Sequence, residues 1–327
     1  MRTDRSGFSA TVLQGLLESL RPQGATGDIC VAFSGGVDST VLLAALADLK
    51  AAGSPAQLRA LHVDHQLHPD SARWQMHCAA FAESLDVDYR FELVTVAEGS
   101  GKGVEAAARA VRYEALQRHL KAGEILLTAH HADDQLETVL LALMRGSGVR
   151  GLSGMPSSAP CGSGWLQRPL LDFTRAELEV WGRERGLRWI ADPANSESRY
   201  SRSVLRHAIT PVLRERWPQA AAVASRSARH LADAADLLDD LARLDLEAVG
   251  AGDCLQVAAL GRLPSPRRRN LLRFWLREQG LSIPSTRKLA SLERDMLIAR
   301  EDRHPVVTWQ GGEVRRRRGL LYARALQ

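Results

Sequence analysis

The run Ser34-Gly35-Gly36-Val37-Asp38-Ser39 combines glycines, hydroxyls and one carboxylate in a pattern that can bind phosphate groups. The apolar segment 29–33 precedes this run, and strong helix formers at residues 40–46 follow it. The order predicts a strand, a glycine turn and a helix whose first N–H groups face a ligand in the turn. Asp38 suits such a site only when a hard cation accompanies the phosphates, and magnesium is the candidate. An ordinary strand-to-helix turn is the simpler alternative.

A second polar run, Thr128 to Thr138, reads TAHHADDQLET and follows the apolar residues 125–127. Within it, Asp134 and Glu137 are three residues apart, so a helix would place them on one face, one turn apart. Acidic side chains in a first helical turn also stabilise the helix dipole, which is the simpler explanation. Beside bound phosphates, however, two unneutralised carboxylates would repel the ligand. They therefore fit better as ligands of a cation, either magnesium or an ammonium group.

Alternating strands and helices must position these two runs. After the first strand, the pattern predicts strands at 58–63, 87–94 and 124–128, with helices at 71–85, 104–120 and 133–145. This alternation predicts an α/β fold with a parallel sheet and helices on both faces. Ligands bind such sheets at the carboxyl ends of the strands, which is where both polar runs fall.

The distribution of charge separates the two halves of the chain. Residues 1–200 contain 20 Lys and Arg against 24 Asp and Glu, a net charge of −4, whereas residues 201–327 contain 23 against 14, a net charge of +9. A basic second half indicates a polyanionic partner, with nucleic acid favoured over a membrane. A basic surface without a partner is the alternative.

The four cysteines indicate a reducing compartment. They are far apart and form neither a C-x-x-C pair nor a metal-ligand spacing: Cys30, Cys78, Cys161 and Cys254. The first 20 residues lack the apolar centre of a signal peptide, and no later run is apolar enough to span a bilayer. We therefore expect a cytoplasmic protein without a membrane partner.

The glycine run resembles the SGGxDS loop of the PP-loop ATP pyrophosphatases, a family with an adenine nucleotide α-hydrolase-like fold. The resemblance implies that ATP is cleaved between its α and β phosphates. That family includes amide ligases, thiolases and tRNA-modifying enzymes, so the loop identifies the energy source and leaves the substrate open.

Further segments narrow the resemblance to the tRNA(Ile)-lysidine synthetase family. They are TAHHADDQLET, LMRGSGVRGLSGM, Arg168 to Leu171, Asp192 to Asn195, and the group Tyr200, Arg202 and Arg206. Members of this family attach free L-lysine to C2 of the wobble cytidine of an isoleucine tRNA with a CAU anticodon. The resemblance thus implies a ligase that uses ATP and Mg²⁺, adenylates the cytidine, and releases AMP and diphosphate.

The resemblance also implies roles for individual residues. ATP would bind Ser34, Gly35, Gly36, Val37, Asp38 and Ser39, with Asp38 on magnesium and with Val63 and His65 beside the nucleotide. Phosphate or catalytic contacts would come from Arg109, Arg112 and His130, and lysine contacts from Asp134, Glu137 and Arg145. Contacts to tRNA would come from Arg202, Arg206, Arg267, Arg268, Arg269, Arg315, Arg316, Arg317 and Arg318.

We expect three regions along the chain: a catalytic domain at 1–215, a linker helix at 216–248, and a smaller, basic, helical or α+β tRNA-binding domain at 249–327. Gly311-Gly312 predicts a hairpin that exposes some of the following arginines on one face, where they would contact phosphates.

Two departures from the family stand out. Ser203 replaces a frequent Asn, and there is room for only one of the two C-terminal modules of longer members.

Two other functions remain open at this point. A tRNA-cytidine thiolase could use the same loop, although such chemistry ordinarily needs paired cysteines. A tRNA-binding protein with a degenerate nucleotide fold is the second alternative, and the intact SGGVDS run argues against it. The sequence leaves the oligomeric state open, with a homodimer as one candidate.

Overall fold

The computed structural model describes residues 7–53, 56–66, 68–95, 104–190, 201–298 and 304–326. The segment Asp192 to Asn195 and Tyr200, which contribute to the family resemblance, lie outside these residues. The chain divides into two compact units, Met1–Leu231 and Ala232–Gln327. Among the helices of the described residues, none combines the length and the apolar character needed to cross a bilayer.

The first unit is built on a six-stranded sheet. Its strands are β1 (Ile29–Ala32), β2 (Leu58–Asp64), β3 (Asp88–Leu93), β4 (Ile125–Leu127), β5 (Ser158–Cys161) and β6 (Gly164–Gln167). Their order across the sheet is β3-β2-β1-β4-β6-β5. Every neighbouring pair is parallel except β5 with β6, where β5 forms an antiparallel edge. The predicted parallel sheet is confirmed, with this one addition.

Helices cover both faces of the sheet, as predicted. They are α1 (Ala10–Ser19), α2 (Val37–Ala51), α3 (Ser71–Ser84), α4 (Val104–His119), α5 (Ala132–Met144), α6 (Val149–Leu152), α7 (Arg175–Glu184), α8 (Ser201–Val204), a π-helical turn (Leu205–Ile209) and α9 (Thr210–Arg216). Successive residues of β1 point to opposite faces. Val31 packs in the cluster that contains α2 and α7, whereas Cys30 packs in the cluster that contains Leu116 of α4.

The strand order brings the two polar runs together. From β1 the chain crosses to β2 and β3 on one side, and it then returns to β4 on the other side of β1. The connections that follow β1 and β4 therefore leave adjacent strand ends in opposite directions, which opens a crevice at the carboxyl edge of the sheet. Residues 34–39 and 128–138 form the two sides of this crevice.

A buried ion pair supports the opposite edge of the sheet. The Arg59 guanidinium donates to both carboxylate oxygens of Glu124, at 2.7 and 2.6 Å, and to the carbonyl of His119 at 2.8 Å. Arg59 is 7% exposed and Glu124 is 2% exposed. Both groups have thus lost their hydration, and each depends on the other for neutralisation.

Replacing Glu124 with Gln is expected to lower the free energy of unfolding by about 3–5 kcal/mol, because it leaves a buried guanidinium without a counterion. Urea denaturation of the purified protein measures this change. Asp86→Asn is the matched control, since Asp86 pairs with Lys50 on the surface and should change stability by less than about 1 kcal/mol. Equal stabilities for the two variants would contradict the structural role of the buried pair.

Helix α10 (Ala220–Val249) contains the boundary between the two units. Near its start, the Ser225 hydroxyl donates to the carbonyl of Leu171 at 2.9 Å, and Arg229 pairs with Asp172 in the first unit. Near its end, Asp245 pairs with Arg267 of the second unit. The structure thus differs from the expected separate linker at 216–248, because each half of the helix packs within its own unit.

The second unit is an α+β fold, as predicted for this part of the chain. Its antiparallel sheet has the order β7-β8-β11-β10-β9. The elements are β7 (Gly250–Ala251), β8 (Cys254–Gln256), α11 (Val257–Arg262), α12 (Ser265–Glu278), α13 (Thr286–Ile298), β9 (Val306–Trp309), β10 (Gly312–Arg317) and β11 (Leu320–Arg324). Trp275 is fully buried at its core, and its indole N–H donates to the carbonyl of Asp253 at 3.0 Å. The predicted hairpin is confirmed, since Trp309 pairs with Gly312 across the turn.

Candidate active site

The glycine loop after β1 requires glycine at position 35. Gly35 has a φ of 78°, in the left-handed region. A Cβ atom there would lie 2.6 Å from the Ile190 Cδ1 and 2.7 Å from the Cys78 Sγ, so a side chain would also collide with both neighbours. The Gly35 carbonyl accepts a hydrogen bond from the Ile190 N–H at 2.8 Å. The loop is therefore held in one conformation by its close packing against Ile190 and Cys78 and by the hydrogen bond from Ile190.

The start of α2 is left open by the loop. Gly36 caps the helix without any side-chain hydrogen bond, so the N–H groups of the first turn can face an anion. The sequence predicts that the hydroxyls of Ser34 and Ser39 bind ATP, and in the structure both form hydrogen bonds within the loop. The two hydroxyls lie 3.0 Å apart, and Ser39 also donates to the carbonyl of Gly36 at 3.1 Å. Ser39 is nearly buried, and its hydroxyl thus shapes the loop.

Asp38 lies in the first turn of α2 and faces the crevice. Its Oδ1 is buried and has no hydrogen-bond partner among the described residues. An orphaned carboxylate oxygen beside an anion-binding turn fits the magnesium ion that the family implies, because Mg²⁺ prefers oxygen ligands and is commonly shared between one carboxylate and substrate phosphates. Among the described residues there is no cluster of three or more His, Cys, Asp or Glu arranged for a metal. Asp38 would then be the protein's contribution to a site completed by phosphates and water.

The first two turns of α5 present the two predicted carboxylates on one face, as their spacing indicates. Glu137 is 2% exposed and binds the guanidinium of Arg206 through two hydrogen bonds, of 2.7 and 3.0 Å. The same guanidinium lies 3.2 Å from the Asp134 Oδ1. Burial raises the pKa of Glu137, and Arg206 offsets this only in part. The carboxylate pair therefore favours a bound cation, and Arg206 supplies one.

His131, at the start of α5, connects this pair to the glycine loop. Its Nε2 lies 3.6 Å from the Asp38 Oδ2 and 3.4 Å from the Asp134 Oδ2. On the other side of the ring, the Nδ1 lies 3.5 Å from the Asp133 Oδ2. Burial alone would lower the pKa of this imidazole, but the surrounding carboxylates, with Asp134 first, outweigh it and raise the pKa to about 10. His131 is thus a buried cation between three carboxylates.

Residues 201–216 are attached to the start of α5 through arginines. Arg202 donates to the Thr138 hydroxyl at 3.1 Å, and Arg206 binds Glu137 as described. Arg214 pairs with Asp133, which also accepts the Arg175 N–H at 2.8 Å. These contacts hold the carboxylates of α5 through a segment separate from the glycine loop. Ser203, the departure from the family's Asn, has a buried hydroxyl without a hydrogen-bond partner among the described residues.

A group of cations lies around His130. Burial lowers the pKa of His130 to about 3, and the arginines Arg168, Arg109 and Arg112 lower it further, so the ring is neutral. Its Nδ1 lies 2.9 Å from the Thr128 hydroxyl. Burial, together with the nearby charges of Arg109 and Arg202, lowers the pKa of Arg112. Arginines so close together with few counterions favour an anionic ligand.

The predicted nucleotide-side residues lie at the end of β2 or just after it. Val63 and His65 are half-buried. Burial lowers the pKa of His65, and Arg112 lowers it further, so His65 lies near the arginine group. The carboxyl ends of β1, β2 and β4 thus carry the glycine loop, Val63 with His65, and His130, whereas α4 carries Arg109 and Arg112 near His130.

Arg145 is the exception among the predicted lysine ligands. It is exposed and follows the last residue of α5, whereas Glu137 lies near the start of that helix. The two residues are eight positions apart, which corresponds to about 12 Å of helix. The structure therefore does not bring Arg145 to the carboxylate pair.

The predicted tRNA-binding arginines of the second unit fall into two groups. One group already has acidic or carbonyl partners: Arg267 with Asp245, Arg268 and Arg269 with Glu293, Arg315 with Glu313, and Arg316 with the Met296 carbonyl. Arg316 is 8% exposed because the strand pleat directs it to the same face as buried Val314. The hairpin was expected to expose some of the arginines 315–318, and Arg316 is not one of those it exposes. Arg317 and Arg318 are exposed.

Sequence reasoning missed His131, Asp133 and Arg214. The prediction named His130 and not the adjacent His131, although the spacing of the run does not distinguish the two histidines. Only the position of His131 directly before a helix distinguishes it, since the residue at that position lies beside the first-turn acids. The arginines that pair with Asp133 and Glu137, Arg214 and Arg206, come from segments more than 60 residues away, so these ion pairs follow from the fold and not from any local pattern.

Comparison with known proteins identifies related chains. The family model of the PP-loop domain matches residues 9–213, and that of the TilS substrate binding domain matches residues 255–322. The chain is 47% identical over 307 residues to the tRNA(Ile)-lysidine synthase of Alkalilimnicola ehrlichii, covering 94% of this chain and 69% of that protein. It is 42% identical over 307 residues to the tRNA(Ile)-lysidine synthase of Coxiella burnetii, covering 94% and 68%.

Among solved structures, the U34-tRNA thiolase NcsA from Methanococcus maripaludis is similar with a TM-score of 0.54 and 17% identity, covering 68% of this chain and 77% of that one. At this identity the likeness concerns the fold alone. The two family models together span both units, and the tRNA(Ile)-lysidine synthases match along nearly the whole chain. The chain therefore belongs to the tRNA(Ile)-lysidine synthase family.

Proposed function

We propose that this protein ligates L-lysine to C2 of the wobble cytidine of an isoleucine tRNA with a CAU anticodon, at the expense of ATP. The observation that carries the proposal is the pairing of two half-sites at adjacent strand ends. One is a glycine loop with an orphaned carboxylate oxygen, and the other is a buried carboxylate pair that holds a cation. Membership of the tRNA(Ile)-lysidine synthase family supports the assignment.

The reaction has two steps. In the first, the C2 oxygen of cytidine attacks the α phosphorus of ATP, the bond between the α and β phosphates breaks, and diphosphate leaves. In the second, the lysine ε-amine attacks C2, forming a C–N bond. The C–O bond then breaks, its electron pair and oxygen leave with AMP, and the amine loses a proton. Adenylation is needed because the C2 oxygen is otherwise a poor leaving group.

The protein's contributions to the first step are binding and charge compensation. The N–H groups at the start of α2 would bind phosphate oxygens, and Arg109 and Arg112 would bind further phosphate charge near neutral His130. Asp38 would hold Mg²⁺, which supplies charge neutralisation on the departing diphosphate. The glycine loop is held in place before substrate binds, which is what electrostatic stabilisation of the transition state requires.

Asp134 and Glu137 would bind an ammonium group of lysine in the second step. Arg206 now occupies both carboxylates, so lysine binding requires Arg206 to leave them. The lysine ammonium would then replace the Arg206 guanidinium as the cation that neutralises the Glu137 carboxylate. Because Arg206 belongs to a π-helical turn, a kind of segment frequent at functional sites, we infer that this turn adjusts when lysine enters.

The second unit would bind tRNA through its exposed arginines, Arg317 and Arg318. If so, Arg317→Ala combined with Arg318→Asn should weaken tRNA binding about tenfold and reduce the slope of log K against log salt by about 1 for each lost phosphate contact. Asn is chosen at position 318 because Arg318 has a φ of 49° and Asn tolerates this conformation. Filter binding at several salt concentrations measures both quantities.

Arg315→Ala is the matched control for this pair. Glu313 would keep Arg324 as its partner, at 2.7 Å, so we expect tRNA affinity to change by less than about threefold. Wild-type affinity and salt slope in the double variant would mean that tRNA binds another surface.

The thiolase alternative is not favoured. The four cysteines are free, and three of them are buried at separate points of the first unit: Cys30, Cys78 and Cys161. Burial raises the pKa of Cys30 and of Cys78 to about 12, so neither is a thiolate at neutral pH.

Incubation of the protein with ATP, labelled lysine and total tRNA tests the proposed function. We expect label in one isoleucine tRNA, with AMP and diphosphate formed in equal amounts. Absence of label, or label in tRNAs of several kinds, would contradict the proposal.

A further inference from the structure

His131 lies where the two half-sites meet, and it has no role in the reaction steps described above. The ring is 3% exposed and is fixed on several sides. Its backbone N–H donates to the Asp134 Oδ2 at 3.1 Å, and its carbonyl accepts the Gln135 N–H at 3.1 Å. Asp133 faces the Nδ1 and is itself held by Arg214 and by the Arg175 backbone. Carboxylates therefore face both ring nitrogens, Asp133 at the Nδ1 and those of Asp38 and Asp134 at the Nε2.

This Nε2–H group has two acceptors and only one proton. The Asp38 Oδ2 lies at 3.6 Å and the Asp134 Oδ2 at 3.4 Å, so the ring cannot give a short hydrogen bond to both at once. Any cation that takes over Asp38 removes one acceptor. The proton then becomes fully available to Asp134.

The two oxygens of Asp134 are held by different groups. Oδ2 is bound by His131, through the backbone and the ring, whereas Oδ1 faces Arg206 at 3.2 Å. When Arg206 leaves, Oδ1 becomes free for an ammonium group while Oδ2 stays held. A carboxylate that is already oriented loses less side-chain entropy on binding its ligand.

We propose that His131 is a positioning residue that orients Asp134 for the lysine ammonium and links lysine binding to the occupation of Asp38. The inference rests on the proposed function, since it assigns Asp134 to lysine and Asp38 to magnesium. The link is reciprocal: a cation at Asp38 strengthens lysine binding, and lysine strengthens cation binding by the same factor.

Two substitutions separate the roles of the two ring nitrogens. In His131→Gln the amide nitrogen takes the place of the Nε2, and in His131→Asn it takes the place of the Nδ1. If orienting Asp134 is what matters, Gln should keep lysine affinity within about threefold of wild type, and Asn should lower it about tenfold or more, as the loss of a supporting residue around a site typically does. A purely structural role through Asp133 predicts the reverse order.

Equilibrium dialysis of labelled lysine against the full chain provides the measurement, with and without MgCl₂ and α,β-methylene-ATP. We expect magnesium and the analogue to tighten lysine binding to the wild type about fivefold, as a typical coupling between two sites. The amide of Gln has two N–H groups and can serve both acceptors at once, so His131→Gln should bind lysine without responding to magnesium. His131→Asn should bind weakly in both conditions.

His230→Asn, at an exposed position of α10, is the control, and thermal denaturation verifies that each variant is folded. Equal lysine affinity in wild type, Gln and Asn variants, or an unchanged response to magnesium in all three, would overturn this inference alone. Failure of the wild type to bind lysine under every condition would overturn the proposed function, and the inference with it.

Discussion

Replacing Asp38 with Asn is expected to lower the rate of lysidine formation by about 10³-fold, or about 4 kcal/mol in the activation free energy. The amide keeps the shape of the side chain, but it lacks the negative charge that holds a hard cation on the departing diphosphate. Single-turnover assays at increasing magnesium concentrations measure the loss and reveal whether high magnesium partly restores the rate.

Two controls accompany this variant. Asp48→Asn, an exposed position on the same helix, should retain the wild-type rate. The Asp38 variant itself should retain its thermal stability and its affinity for tRNA, because the ion pair that Asp38 forms, with His131, lies within the crevice and its Oδ1 accepts no hydrogen bond among the described residues. Wild-type turnover of Asp38→Asn at low magnesium would remove Asp38 from the reaction.

Replacing Glu137 with Gln is expected to raise the lysine KM by about 10- to 100-fold, which corresponds to losing one charge-assisted hydrogen bond in a buried site. The rate of diphosphate release in the absence of lysine should change much less, because Glu137 lies on the lysine side of the crevice. Comparing the lysine dependence of tRNA labelling with diphosphate release separates the two effects.

Glu83→Gln on the exposed face of α3 is the control for this substitution. Asp134→Asn distinguishes two roles of the second carboxylate. A raised lysine KM would indicate an ammonium ligand, whereas a raised magnesium requirement would indicate a metal ligand. If neither Glu137→Gln nor Asp134→Asn changes the lysine dependence, lysine binds elsewhere.

The local parts of this site could be predicted from the sequence, because each depends on residues that are close along the chain. Gly35 and Gly36 mark a turn between an apolar strand and a helix, and the spacing of Asp134 and Glu137 places them on one helical face. The alternation of elements indicates a parallel sheet, and a parallel sheet binds ligands at its carboxyl edge.

The parts that could not be predicted depend on contacts between distant segments. The ion pair of Arg206 with Glu137 joins residues 69 positions apart, so no spacing reveals it. The role of His131 depends on Asp38, which a different strand end brings within 3.6 Å. Arg206 was expected to contact tRNA, and the fold instead places its charge on the predicted lysine ligands.

Arginine-rich runs are a second case in which the local pattern is insufficient. The run Arg315 to Arg318 was predicted to contact tRNA phosphates, but the run alone does not show which of its side chains are available. The alternation of the strand directs Arg316 into the core, and Glu313 pairs with Arg315. The net charge of +9 on residues 201–327 is likewise divided between the two units. Residues 201–231, in the first unit, contribute 6 basic against 1 acidic side chain, and residues 232–327, in the second unit, contribute 17 against 13. Several of the basic side chains in 201–231 neutralise acids of the first unit.

The fate of the cytidine C2 oxygen tests the central claim most directly. An isoleucine tRNA whose wobble cytidine carries heavy oxygen at C2 would be incubated with the protein, ATP and lysine, and the products would be analysed by mass spectrometry. Adenylation of that oxygen followed by attack of the amine predicts heavy oxygen in AMP, none in diphosphate, and a lysine-bearing nucleoside at the wobble position. Heavy oxygen in diphosphate or in water, or an unmodified wobble cytidine, would contradict the account.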